Sequence, residues 1–363
     1  MKITIDVSQM AYSGTGVGRY TFELVKALLS LPSKHEFILW AGVRRQRFYF
    51  EGLQKTAPWN RATWVYSHLS PKLAGVLFNY SPLHLEYLSG ETDLIHLSDW
   101  TAPVTRVPTI TTIHDLAYAK YPETVHPLIR HTQSLRLSRV IKHGNHIIAD
   151  SQSTKNDLVE KYQIDDSRID VVYPGLSQEY FPQSESEIER VKNKYNLPNK
   201  FILSLGTQEP RKNLERLIQA TADLPTPLVI AGKYGWGKKI DNPSHVTVLG
   251  FVDEADLPAL YSSATVFCYP SLYEGFGFPV LEAMACGTPV VTSNISSLPE
   301  VSGEAAILVD PLSTESIRSG IEQAVESSEK MIKKGILQAK KFNWESSAKQ
   351  VLSIYEKIYR STL

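Results

Sequence analysis

The hydrophobic positions of the chain fall into two successive runs of one pattern, short apolar strands alternating with amphipathic helices. In the first run Lys2 to Val7 alternates and is β-rich, Ser8 to Gly18 is a loop with Gly14, Gly16 and Gly18, and Arg19 to Leu31 has helical period. Further strands are expected at Glu36 to Ala41, Asp93 to Leu97, Thr109 to Ile113, Asn145 to Ala149 and Arg168 to Tyr173. Helices are expected over Pro127 to His143 and Ser153 to Lys161, the second capped by Asp150-Ser151. Arg130, Arg136, Arg139 and Lys142 read as a solvated face of the first. Beyond Pro174-Gly175 the polar stretch QSESEIERVKNKYNLPNK suits a crossing between domains.

The pattern then begins again. Phe201 to Leu205 reads as a strand, Gly206 to Asn213 as a loop and Leu214 to Ala222 as a helix. Strands at Leu228 to Ala231 and Val246 to Leu249, a helix at Asp256 to Ser262 and a buried strand at Ala264 to Tyr269 follow. Val280 to Cys286 is a short helix opened by Pro279, whose fixed φ suits a first turn, and ended by Gly287. Strands at Thr288 to Thr292 and Glu304 to Val309, a helical stretch from Thr314 to Ala339 and a terminal helix from Trp344 to Tyr359 complete the chain. Two strand–loop–helix openings in 363 residues predict an α/β protein of two doubly wound domains.

Composition narrows the ligand. Lys+Arg and Asp+Glu both number 38, so net charge makes no case for nucleic acid and an anionic ligand must be held by local groups. Cys268 and Cys286 lie in apolar segments without metal-type spacing, as buried thiols in a reducing compartment do. The chain opens directly on a strand, and no run approaches the ~18 apolar residues of a membrane span. A cytoplasmic protein is therefore expected. Val43 to Phe50 (VRRQRFYF) suits either peripheral contact with an anionic membrane face or, more commonly, a solvated loop with a few packed rings.

Ligands of open α/β sheets sit beyond the carboxyl ends of the strands. His114, directly after Thr109 to Ile113, is so placed. The Gly14 to Gly18 loop lacks a complete dinucleotide fingerprint and serves a tight turn equally well. Arg211 and Lys212, stiffened by Pro210, follow a strand and suit a diphosphate, or form an exposed basic turn. Glu274 lies in the turn before the Val280 helix, whose N-terminus suits an anion. Glu282 lies within that helix among apolar residues, where a carboxylate needs donors such as the vicinal hydroxyls of a ribose. No Asp-x-Asp pair occurs, so neutralisation of a diphosphate falls to cations and helix N-termini. Neither a metal nor another cofactor is expected.

GTGVGRY (14–20), IHD (113–115), GTQEPRKN (206–213), YPSLYEGFGFPVLEAMACGTPVV (269–291) and SSLPEVSGEAAILVDP (296–311) occur in an order that resembles family 4 of the retaining glycosyltransferases. The Glu-x7-Glu unit is the specific sign; the glycine loop and His114 support it. The resemblance implies a GT-B fold: two Rossmann-like domains facing across a cleft, residues 1–173 on the acceptor side and 174–343 binding the nucleotide-sugar. The terminal helix, 344–363, would return to the first domain. It further implies that Arg211 and Lys212 hold the diphosphate, Glu274 the sugar hydroxyls and Glu282 the ribose. Gly275, Phe276, Gly277, Phe278 and Leu281 would bring their backbone to sugar and phosphate. Gly16 would close over the donor, His114 would lie beside the transferred sugar and Phe251 near the base. Thr207 departs from many relatives, which carry arginine there, and shifts weight to Arg211.

The implied chemistry is metal-independent transfer with retention, giving an α-linkage. The first choice of donor is GDP-mannose, in the manner of bacterial mannosyl- and rhamnosyltransferases of surface polysaccharide, with a glycan or lipid-linked acceptor. The alternatives are a sugar-nucleotide epimerase, a phosphorylase and a cytosolic sugar-binding protein without catalysis. No lysine is marked for the phosphorylase's pyridoxal phosphate. The epimerase would convert donor alone, and the binding protein would ignore nucleotide diphosphates.

Overall fold

The computed structural model describes residues 1–12, 14–43, 46–69, 71–237, 240 and 242–361. Two compact units are present. Met1–Ala119, Pro127–Gly175 and Asn343–Leu363 form the first, and Lys120–His126 with Leu176–Phe342 the second.

In the first unit seven parallel strands stand in the order β3-β2-β1-β4-β5-β6-β7. They are β1 (Lys2–Asp6), β2 (Glu36–Gly42), β3 (Thr63–Ser67), β4 (Leu94–Leu97), β5 (Thr109–Ile113), β6 (His146–Ala149) and β7 (Ile169–Val171). The central β4 and β5 are buried throughout, which is why they read as unbroken apolar or threonine-rich runs. β3 was not expected from its sequence. It is an edge strand in which only Trp64 is buried, so it lacks a clear alternation.

The second unit has six parallel strands in the order β10-β9-β8-β11-β12-β13. They are β8 (Ile202–Leu205), β9 (Leu228–Ala231), β10 (Val246–Gly250), β11 (Val266–Tyr269), β12 (Val290–Ser293) and β13 (Ala306–Val309). Alternate residues of one strand serve opposite faces. Leu203, Val229, Phe267 and Val290 join one core cluster, while Ile202, Ile230, Val266 and Val291 join the other. Both sheets have the doubly wound Rossmann-like order.

Several expectations are corrected. The first helix spans Gly16–Ser30 rather than starting at Arg19, because Thr15 Oγ1 accepts the Gly18 N–H at 3.1 Å and caps it there. The polar stretch 183–200 is more than a crossing, since Ser184 caps a helix at Glu185–Tyr195. Arg47–Gln54 is a helix rather than a loop. It is anchored by the fully buried Phe50 and by an Arg47–Glu51 pair at 2.8 Å, while Phe48 stands exposed. Arg44 and Arg45 of the basic run lie outside the described residues.

Arg136 is not on a solvated face. It is buried and donates to the Ser98 and Thr112 carbonyls at 3.2 and 3.1 Å. Thr314 to Ala339 is two helices, Thr314–Glu326 and Ser328–Ala339, broken at Ser327. The break lets Ile317, Ile321 and Ala324 pack on one face of the sheet and Ala339 on the other. No helix among the described residues is long and apolar enough to cross a membrane.

The terminal helix, Trp344–Arg360, belongs to the first unit. Asn343 caps it through the Ser346 N–H at 2.8 Å, Ser347 donates to the Tyr173 carbonyl at 2.7 Å, and Tyr355 Oη meets His96 Nδ1 at 2.6 Å. Its first turn lies against Gly175, where a Cβ would stand 2.2 Å from the Trp344 nitrogen. Gly175→Ala should therefore lower stability by about 1–3 kcal/mol through backbone overpacking. Urea denaturation checks this, and an unchanged midpoint would contradict the close approach.

Candidate active site

In the second unit the strand order reverses between the neighbours β8 and β11, the position at which open α/β sheets hold ligands. The loops leaving these two strands, 206–213 and 270–277, are tied together. Asn213 Nδ2 donates to the Pro270 carbonyl at 3.0 Å and the Pro311 carbonyl at 2.7 Å. Before it, Pro210–Lys212 forms a short 3-10 turn that directs both cations to the β11 loop.

There they meet Glu274. Arg211 donates to Oε2 at 2.7 Å, and Lys212 and Ser271 each donate to Oε1 at 2.7 Å. Arg211 also holds the Tyr273 carbonyl at 2.7 Å and Glu209 at 2.5 Å, while Lys212 donates to the Tyr269 hydroxyl. Burial alone would raise the Glu274 carboxyl, but Arg211 and Lys212 outweigh it and hold it down at about 2. The Lys212 ammonium is lowered, by burial first and by Arg211 second, against the pull of Glu274 and Glu209. The carboxylate shared by two cations thus gains more than Lys212, which has a cation for a neighbour.

The turn after Glu274 is equally fixed. Ser296 Oγ accepts the Glu274 N–H at 3.1 Å, and Ser297 Oγ donates to the Glu274 and Phe276 carbonyls at 3.0 and 2.8 Å. Gly277 has φ of 105°, and a Cβ there would stand 2.8 Å from Leu298 Cδ2. The φ calls for glycine, and a side chain would in addition push the Leu298 methyl aside. The helix it opens, Phe278–Ala285, begins at Phe278 rather than Val280 and has no side-chain cap at Gly277. The side chains of Phe276 and Leu281 are buried in the core, so these two residues offer a ligand backbone alone.

Glu282 is buried in the same helix, and the Tyr261 hydroxyl donates to its Oε2 at 2.8 Å. Its burial thus has an internal partner and does not by itself call for a ribose. At the ends of β8 and β9, a Cβ on Gly232 would lie 1.9 Å from the Gly206 carbonyl oxygen, so these two backbones touch. Just beyond, Phe251 is 53% exposed with the Lys233 ammonium 4.2 Å from its ring centroid, a surface on which a planar group can rest.

Gly16 and His114 belong to the first unit. Gly16 is exposed at its helix start, and a Cβ there would meet nothing within 4 Å, whereas a Cβ on Gly18 would stand 2.7 Å from the Tyr12 carbonyl oxygen. His114 Nδ1 lies 2.7 Å from Asp150 Oδ2, with the Tyr20 ring edge-on at 4.7 Å. Burial lowers the imidazole, but Asp150 and Asp99 reverse this and leave it raised.

The structure therefore brings Arg211, Lys212 and Glu274 into direct contact and continues them into Gly275, Phe276, Gly277 and Phe278. It sets Glu282 on the same helix and Phe251 at the neighbouring strand ends. Glu209, Tyr269, Ser271, Tyr261 and Asp150 were missed as partners. The first four lie in segments already singled out, but nothing in a single sequence pairs them. Asp150 has a sufficient local explanation in sequence as the neighbour of the capping Ser151.

Two cations paired with a buried carboxylate stand at the switch point of a Rossmann-like sheet, in a chain of two such units, the plan of the GT-B fold. Profiles described as "Glycosyltransferase Family 4" and "Glycosyl transferases group 1" match residues 14–180 and 185–356. The O-antigen chain mannosyltransferase B of Escherichia coli is 32% identical, over 98% of this chain and 100% of its own length. The sucrose-phosphate synthase of Thermosynechococcus elongatus aligns with TM-score 0.73 at 19% identity, over 99% of this chain and 100% of its own. Alr3699/HepE of Anabaena, solved in complex with UDP and glucose, gives 0.70 at 18% identity, over 98% and 100%. The chain belongs to glycosyltransferase family 4 and is a hexosyl-transferring enzyme.

The low Glu274 carboxyl has a pH consequence. A depressed folded-state value means that its stabilisation is complete above the ordinary ~4.3 and is lost as pH falls toward 2. The loss should be on the order of 3 kcal/mol for this group. Glu274→Gln should flatten that part of the acid profile, measured by urea denaturation between pH 5 and 2.5. The same fall in both proteins would contradict the assignment.

Proposed function

We propose that this enzyme transfers mannose from GDP-mannose to a glycan or lipid-linked acceptor, with retention, an α-linkage and no metal requirement. The observation that carries the proposal is the Arg211–Glu274–Lys212 contact at the β8/β11 switch point. Two cations fixed in place before the ligand arrives suit a diphosphate leaving group, whose charge grows in the transition state. Glu274 suits the sugar hydroxyls as an acceptor of hydrogen bonds. It is a poor covalent nucleophile, because both of its oxygens already receive charged donors.

Transfer on one face of the sugar is favoured accordingly. The anomeric C–O bond to the diphosphate breaks, the acceptor oxygen forms the new bond, and its proton passes to the leaving phosphate held by Arg211 and Lys212. Glu282 is assigned the ribose and Phe251 the base. The first unit is assigned the acceptor side, with His114 and Gly16 as its candidate residues. Mannose is the sugar named for the E. coli relative, and an O-antigen-type glycan is the matching acceptor.

Thermal shift against GDP, UDP, dTDP and ADP tests the donor. GDP should stabilise most, by roughly 2.7 kcal/mol at a hundred times its Kd. Greater stabilisation by UDP would overturn the choice. Lys212→Ala should slow transfer at least ~100-fold. Turnover of wild-type rate at saturating donor would remove Lys212 from the reaction. EDTA should leave transfer unchanged, and product from donor alone would mark an epimerase.

A further inference from the structure

β5 and β6 run parallel with Ile113 opposite Ala149, so the next residue of each strand, His114 and Asp150, emerge side by side at the carboxyl edge. Their side chains meet there, Nδ1 to Oδ2 at 2.7 Å. The Asp150 side chain is 3% exposed and the His114 ring 18% exposed. Asp150 also directly precedes Ser151, which caps the helix Gln152–Tyr162 by accepting the Thr154 N–H at 3.1 Å. Burial raises the Asp150 carboxyl above its ordinary value, while His114 and the positive end of that helix favour the ionised form. Among the described residues no hydrogen bond is made to His114 Nε2. The ring is therefore gripped at one nitrogen and, through Tyr20 at 4.7 Å, against one side.

We propose that Asp150 is the positioning residue for His114: its carboxylate accepts the Nδ1–H hydrogen bond, fixes the plane of the ring and, while the ring is the imidazolium, presents Nε2–H as a donor to a ligand oxygen. The arrangement has a pH-dependent side. The groups that face His114 are Asp150 from the end of β6, Asp99 from the segment after β4, Arg136 from the helix Pro127–Lys142, His96 on β4, and Tyr20 on the helix Gly16–Ser30, whose hydroxyl burial keeps neutral. Asp150 and Asp99 favour the imidazolium, and Arg136 opposes it. His96 is held neutral, at about 3, by burial first and then by His114 and Arg136, so it adds no competing charge. His114 consequently stays a donor at both nitrogens to a higher pH than an isolated histidine.

The proposal's effect on transfer rests on the proposed function; its effect on His114 does not. The test is therefore double. Titration of histidine-labelled free protein by NMR, with His114 assigned through His114→Gln, reads the pair without any substrate. Asp150→Asn should move the His114 midpoint down by about one pH unit or more, the usual effect of deleting a paired charge within hydrogen-bond reach. Asp150→Glu, which keeps the charge, should restore most of it and guards against a variant that does not fold. If transfer is measured, the alkaline limb of kcat/KM should move down with the same sign in Asp150→Asn. An unmoved His114 midpoint in a folded Asp150→Asn protein would overturn the proposal. A shifted midpoint with no sugar transfer by the wild type would uphold the pair and overturn the proposed function instead.

Discussion

The second unit's site depends on one buried carboxylate shared between two cations. Glu274 on the β11 loop holds Arg211 and Lys212 on the β8 loop, and both loops leave the sheet where its strand order reverses. Removing a partner from a buried pair of this kind typically costs 3–5 kcal/mol, because a charge is left without compensation. The remaining contacts, Ser271 on Oε1, Ser296 on the Glu274 nitrogen and Ser297 on two carbonyls, restrict the carboxylate to one place. Charge is balanced locally as well, since Glu209 takes the second side of Arg211. The cations are thus aligned by the protein's own groups, and in the proposed function a diphosphate would meet donors that need little reorganisation.

Parallel register explains why chemistry collects at these edges. A parallel sheet sends every strand end to one rim, and neighbouring strands release consecutive residues at nearly the same height. In the first unit this sets His114 beside Asp150, continuing Ile113 opposite Ala149. In the second it sets Gly206 against Gly232 beside the Lys212 stem, with the two backbones in contact because Gly232 carries no Cβ. Buried strands hold the rim rigid while the loops carry the functional groups.

The same reasoning marks what a single sequence reveals. The two-unit plan and most strands were legible, because buried parallel strands appear as short apolar runs between glycine, proline and polar loops. Arg211, Lys212, Glu274 and Glu282 were legible as out-of-place charges next to strand or helix ends. Pairing was not. Nothing local states that Tyr261 donates to Glu282, or that Arg136, in a helix of mixed charge, turns inward to reach the carbonyls after β4 and in β5. Asp150 was hidden differently, since its helix-capping neighbour supplied a sufficient local explanation. β3 and the break at Ser327 were missed because edge exposure and a change of sheet face alter no residue's local propensity.

Burial also separates the conserving parts of the site from those able to choose a substrate. Phe276 and Leu281 face the core, Gly277 is fixed by its φ and by Leu298, and the Glu274 carboxylate has three donors. Substituting any of them disturbs packing before it alters selectivity. Phe251 and Lys233 are different: both are exposed, at strand ends rather than inside the sheet, and their contact is a ring under an ammonium. Such a pair adapts to different planar groups at little cost to the core. Gly16 is open in the same sense, because no neighbour within its own unit demands a glycine there, in contrast to Gly18 two residues later. Under the proposed function, discrimination among bases and sugars would fall to the exposed rim, and binding of the diphosphate to the cations that the buried Glu274 holds.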